Sequence, residues 1–133
     1  MVAVDTNVLA YLLLEGDRTR DAQSLFTRDA DWRSESFLLV EFSNILTTYR
    51  RKGALGEAAA AALLASAERV MSRLVNLPHA RALAIAGEYG VSAYDARFLG
   101  AAQVLGTKLV TEDAGLRAAA PTLTRSLAQA LTG

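Results

Sequence analysis

The chain has 133 residues, 52% of them apolar and 21% charged, a balance that fits one folded domain of ordinary size and excludes a disordered segment. It contains no cysteine and one histidine, which excludes a disulfide scaffold, a thiolate metal site, a cysteine nucleophile and any two-histidine site. Its 14 Lys and Arg equal its 14 Asp and Glu, so bulk charge points to no polyanion and a nucleic-acid partner has to be argued from local chemistry.

Val2-Ala3-Val4 predicts a short buried strand, Asp5-Thr6-Asn7 a polar turn, and Val8 to Leu14 a helix that Gly16 and Asp17 break. Thr19 to Arg28 predicts a second helix, with Ala22, Leu25 and Phe26 at helical spacing, and Asp31 to Glu35 a short strand containing Trp32. Ser36 is placed to cap a third helix, Phe37 to about Arg51, which Gly53 stops after the cationic Arg50-Arg51-Lys52. Glu57 to Arg73 reads as an Ala-rich helix and Leu74 to Leu77, before Pro78, as a strand. Helices over His79–Tyr89 and Asp95–Leu105 end at Gly90 and Gly106. A strand over Lys108–Thr111, a helix over Ala114–Ala119 and a strand over Thr122–Thr124 complete the pattern. Alternating strands and helices of this length predict an α/β sandwich on a short, mainly parallel sheet. The N-terminus lacks a basic region and a cleavage pattern, and Val8 to Leu14 is too short to cross a bilayer. A cytoplasmic protein with no membrane contact is expected.

In an open parallel sheet, ligands gather at the carboxyl ends of strands. Asp5 follows the first strand, Asp113 follows Lys108–Thr111, and Asp95 opens a helix. Glu41 interrupts the apolar Leu39-Val40-Glu41-Phe42. Each has a plainer reading. Asp5 and Asp113 suit helix caps, and Ser92-x-x-Asp95 has capping-box spacing. Glu41 suits a polar helix face with Asn44 and Thr48. Together the four would repel one another unless a cation sat among them. Hard oxygen donors without His or Cys favour Mg²⁺ or Mn²⁺ over zinc, and such a site suits hydrolysis of a phosphodiester.

Val4-Asp5-Thr6-Asn7-Val8-Leu9, Glu41 with Asn44, Tyr94-Asp95-Ala96 and Leu109-Val110-Thr111-Glu112-Asp113 resemble, in order and spacing, the PIN-domain family, and within it the VapC-type toxins. The resemblance covers nearly the whole chain. It implies a PIN-like three-layer α/β/α sandwich, a single nuclease domain over residues 1–133, and a Mg²⁺- or Mn²⁺-dependent endoribonuclease. It assigns Asp5, Glu41, Asp95 and Asp113 to catalysis and the metal, with Thr6, Asn7 and Thr111 in support. A homodimer and a cognate VapB-type antitoxin are implied with it. Arg97 departs from the pattern, standing where many members carry an apolar or neutral residue.

For RNA contact the candidates are Arg97, close to Asp95, and Arg50 and Arg51, which also suit the C-terminal end of their helix. His79 is expected at the surface, Glu112 as a solvated neighbour of Asp113, and Tyr94 and Trp32 in packing. Two rival functions remain: a binding subunit of a toxin–antitoxin complex without catalysis, and a solitary PIN nuclease outside any such module. A phosphate-receiver domain fits poorly, because the first strand supplies only Asp5 and Lys108 precedes the body of its strand.

Overall fold

The computed structural model describes residues 1–132. Within them the strands are β1 (Val2–Val4), β2 (Trp32–Glu35), β3 (Leu74–Val75), β4 (Leu109–Val110) and β5 (Thr124–Arg125). The helices are α1 (Thr6–Leu13), α2 (Thr19–Arg28), α3 (Phe37–Arg51), α4 (Glu57–Val70), α5 (His79–Tyr89), α6 (Ala93–Leu105), α7 (Ala114–Ala119) and α8 (Leu127–Thr132). All pairings are parallel, in the order β3-β2-β1-β4-β5. Central β1 is buried throughout, which is why Val2-Ala3-Val4 is continuously apolar rather than alternating. From β1 the chain steps outward to β2 and β3, then returns to β4 on the other side of β1. That reversal makes the β1/β4 boundary a topological switch point, where the carboxyl ends of adjacent strands open a crevice.

Helices flank the sheet, giving the expected α/β/α sandwich. Helix α6 lies against β1, β2 and β4 and packs on α5, while α1 packs with α2, α3 and α4, and α2 with α8. Gly100 lets α6 and α5 approach closely: a methyl group there would lie 2.4 Å from Leu77 Cδ2 and 2.9 Å from Ile85 Cδ1. Gly90 and Gly106 end α5 and α6 in the left-handed region, at φ 67° and 70°, where a Cβ would be strained.

Several boundaries differ from the sequence reading. Helix α1 starts at Thr6, inside the expected turn, because the Asp5 carboxylate caps it by accepting from Val8 N–H at 3.1 Å. Ser36 does not cap α3; its backbone is already helical, and Glu35 Oε1 accepts the Phe37 N–H at 2.6 Å instead. Helix α4 stops at Val70 rather than Arg73, since Met71 leaves helical geometry and is buried in the core. The strand expected through Leu77 ends at Val75, because the Leu77 N–H turns to Glu35 Oε2 at 3.0 Å. Helix α6 begins two residues early, at Ala93, with Ser92 Oγ accepting from Asp95 N–H. The last strand is shifted to Thr124–Arg125, and α8 is an addition. Its signal was a capping box: Ser126 Oγ accepts from Gln129 N–H, and Gln129 Oε1 from Ser126 N–H.

Candidate functional site

A cavity of about 540 Å³ opens beyond the end of β1 and is lined by Asp5, Glu41, Asp95 and Asp113 together with Thr6, Asn7 and Asn44. Four sequence-distant acids are thus brought around one space by the switch-point topology. For Asp5 and Asp113 the plain capping role and a place in the cavity hold together. Asp5 caps α1, and Asp113 caps α7 by accepting from Leu116 N–H at 3.0 Å. Thr111, fully buried at the end of β4, connects the two. Its hydroxyl donates to Asp5 Oδ2 at 2.5 Å and accepts from Asp113 N–H at 3.1 Å. Glu41 is approached from another side: the Thr6 hydroxyl donates to its Oε1 at 2.6 Å, tying α1 to α3.

Burial dominates the electrostatics of Asp5, which is 9% exposed. Removal from water pushes its carboxyl up to about 6, against the lowering effect of the Thr111 and Val8 bonds, and the charges of Asp113 and Asp95 raise it further. Asp95 is also raised, first by burial and then by Asp113, with Ser92 opposing. The charge of Asp113 thus bears on both Asp5 and Asp95, while Glu41 lines the same cavity with its Oε1 held by Thr6. Among the described residues, none of the four acids lies in an ion pair.

Which cation would suit them follows from the donors. All are carboxylates, backed by hydroxyl and amide oxygens, the set that a hard divalent ion such as Mg²⁺ or Mn²⁺ prefers. A buried carboxyl whose proton affinity is raised by desolvation and like charge is what an added cation would relieve. As the side chains stand, no three Asp, Glu or His groups among the described residues converge on one ion position. The donor chemistry fits a divalent ion, with side-chain rotation needed to close on it.

Of the cationic candidates, none lines this cavity. The Arg97 guanidinium points into the structure, donating to Glu35 Oε2 and to the Leu77 carbonyl, each at 3.1 Å, and contacting His79 Nδ1. The expectation that it faces RNA beside Asp95 is corrected: a buried carboxylate has captured it. Arg50 and Arg51 lie at the C-terminal end of α3, around a separate hollow with Thr47. Glu112 is no solvated neighbour, since it accepts from Arg18, Arg117 and Leu127 N–H. His79 is exposed as expected, and Trp32 is core, edge-on to Phe26.

Two features escaped the sequence reading. Glu35 is 1% exposed, and its carboxylate takes bonds from Phe37 N–H, Leu77 N–H and Arg97. The cavity also has an apolar wall of Phe37, Val40, Ile45, Tyr94 and Phe98. Tyr94 is not packed away but 61% exposed, with its ring stacked on Phe37 at 5.3 Å. Helical spacing held the signal, because positions 37, 40, 41, 44 and 45 share one face of α3 with Glu41.

Comparison with known proteins agrees with the geometry. The PIN domain family model matches residues 2–120. A relative from Pyrobaculum aerophilum, Ribonuclease VapC3, is 27% identical over 126 residues, covering 92% of this chain and 96% of that protein. The crystal structure of PAE2754 from the same organism superposes with a TM-score of 0.78 at 23% identity, over 97% of this chain and 90% of that one. That superposition speaks for the fold alone.

Proposed function

The chain belongs to the PIN-domain family, and from that premise we propose that it is a VapC-type endoribonuclease, dependent on Mg²⁺ or Mn²⁺, that serves as the toxin of a toxin–antitoxin pair. The observation that carries the reading is the placement of Asp5, Glu41, Asp95 and Asp113 around one cavity at the switch point, none of them in an ion pair among the described residues. Asp5 and Asp95 would hold the ion directly, with Glu41 and Asp113 holding it directly or through water. A divalent ion bound there supplies the positive charge that polarises a phosphodiester and acidifies water beside it.

The chain's own residues do the rest. Val8 N–H and the Thr111 hydroxyl each hold one oxygen of Asp5, fixing the plane of its carboxylate. Thr111 also holds the Asp113 backbone, so one hydroxyl sets the spacing of two acids. Thr6 orients Glu41, and Asn7 and Asn44 offer amides to substrate oxygens. Water adds to phosphorus and the bond to the 3′ oxygen breaks, leaving a 5′-phosphate and a 3′-hydroxyl. The working unit in this reading is one nuclease domain over residues 1–133, paired as a homodimer in the cytoplasm and restrained by a VapB-type antitoxin. Among the described residues no helix is long and apolar enough to cross a membrane.

The test is single-turnover cleavage of RNA by the unsubstituted chain and by Asp95→Asn, with Mg²⁺ and with EDTA. Cleavage only by the unsubstituted chain in Mg²⁺ is expected; equal cleavage in all four conditions refutes the metal-dependent reading.

A further inference from the structure

The acids explain one half of the cavity and leave the other unexplained. Among its other lining residues Tyr94 is 61% exposed and Val40 60%, although large apolar side chains at such a site would ordinarily turn inward. The two rings are not a loose contact: Phe37 and Tyr94 stack at 5.3 Å between centroids with 18° between planes. Their supports are buried. Glu35 Oε1 takes the Phe37 N–H at 2.6 Å, and Glu35 Oε2 takes Arg97 Nη1 at 3.1 Å. Arg97 lies one helical turn past Tyr94 on α6, so one buried carboxylate fixes the start of α3 and the first turns of α6 together. The ring pair is therefore held in place before any ligand arrives.

We propose that the Phe37–Tyr94 pair is a nucleobase platform: an unpaired base flanking the scissile phosphodiester stacks on the open Tyr94 ring while its phosphate lies at the carboxylates. The proposal deepens the ribonuclease reading and rests on it for the identity of the ligand. Single-stranded RNA is recognised by stacking unpaired bases on aromatic faces, which tolerates any base because each has a π-face. A flat ring beside a phosphate-seeking site matches a nucleotide, whose base and phosphate are joined at fixed reach. The wall carries no cation, so it suits the base and not the backbone. Glu35 and Arg97 act as positioning residues for the platform.

The experiment uses short unstructured RNAs, each with one 2-aminopurine, whose fluorescence is quenched by stacking. They are bound to Asp5→Asn, to Asp5→Asn with Tyr94→Phe, and to Asp5→Asn with Tyr94→Leu, in Mg²⁺. Quenching at one position is expected with Tyr and with Phe and lost with Leu, which binds about tenfold more weakly. Melting curves check that Tyr94→Leu is folded, and an abasic site at the quenched position weakens binding of the Tyr94 chain by a similar factor. Quenching and affinity unchanged by Tyr94→Leu overturn the proposal, as does loss with Tyr94→Phe, which would assign the effect to the hydroxyl. Unchanged RNA binding with an altered mass in solution overturns it in favour of a contact between protein copies. Tyr94-dependent quenching without Asp5-dependent cleavage by the unsubstituted chain keeps the platform and refutes the nuclease.

Discussion

Replacing Asp5 with Asn is predicted to stabilise the metal-free chain at neutral pH. The Asp5 carboxyl is raised from 3.8 to about 6, chiefly because burial strips its charged form of water. The folded state therefore holds this proton more tightly than the unfolded state. Such a group contributes stability that is full below pH 3.8 and lost as pH rises through about 6. At pH 7.5 both states are ionised, and the shift amounts to about 3 kcal/mol of destabilisation. At pH 4.5 the unfolded state is already mostly ionised while the folded state is not, and the penalty is about 1 kcal/mol. Asparagine keeps the shape and an oxygen for Val8 N–H but carries no charge. In EDTA, Asp5→Asn should melt roughly 10 °C higher than the unsubstituted chain at pH 7.5, and only about 3 °C higher at pH 4.5. Millimolar Mg²⁺ at pH 7.5 should then narrow the gap by stabilising the unsubstituted chain more than the substituted one, which keeps Glu41, Asp95 and Asp113. Equal melting of the two chains in EDTA at pH 7.5, or an increment independent of pH, refutes the burial argument. An equal Mg²⁺ shift in both chains refutes the assignment of Asp5 to the ion.

Thr111→Val removes the donor to Asp5 Oδ2 and the acceptor of Asp113 N–H from a fully buried position. It should cost about 1–3 kcal/mol in urea unfolding and move the acid limb of RNA cleavage to higher pH, since a bond that favours the ionised carboxylate is gone; an unmoved limb argues against Thr111 tuning Asp5. Arg97→Met leaves the Glu35 charge buried without its partner. A loss of about 3–5 kcal/mol by urea midpoint at constant slope is expected, much of it recovered by adding Glu35→Gln. A neutral Arg97→Met would show that Glu35 does not depend on the pair.

The order of strands and helices was legible because each junction carries a local chemical mark. Gly90 and Gly106 end helices in a conformation other residues resist, and Ser92 and Asp113 cap the helices that follow them. The acids were legible for the same reason: strand-to-helix junctions are marked in the chain. What stayed hidden was long-range. Nothing near Glu35 shows that its oxygens will be claimed by Leu77 N–H and Arg97. Local reading accordingly gave the cap of α3 to Ser36 and turned Arg97 toward RNA. Tyr94 was misplaced for a related reason, since its burial depended on whether α3 would cover it, and Phe37 covers only part of its ring.

The same long-range pairing explains how a chain of zero formal charge maintains an anionic cavity. Beside Asp95 in sequence stands Arg97, and a few residues past Asp113 stands Arg117, yet neither side chain lines the cavity. Each is held by a different carboxylate, Arg97 by Glu35 and Arg117 by Glu112. Arg18, at the start of α2, is drawn to Glu112 as well. These pairs do more than join elements. They occupy arginines that stand near the cavity's acids in sequence, and the Asp5 and Asp95 carboxyls stay raised by burial and by the neighbouring Asp113 charge. A site meant only to fold would pair its acids with the nearest arginines. With those arginines on Glu35 and Glu112, the four acids of the cavity have no ion pair among the described residues, and clustered carboxylates left unpaired are the electrostatic condition under which a cation from solution would be drawn in.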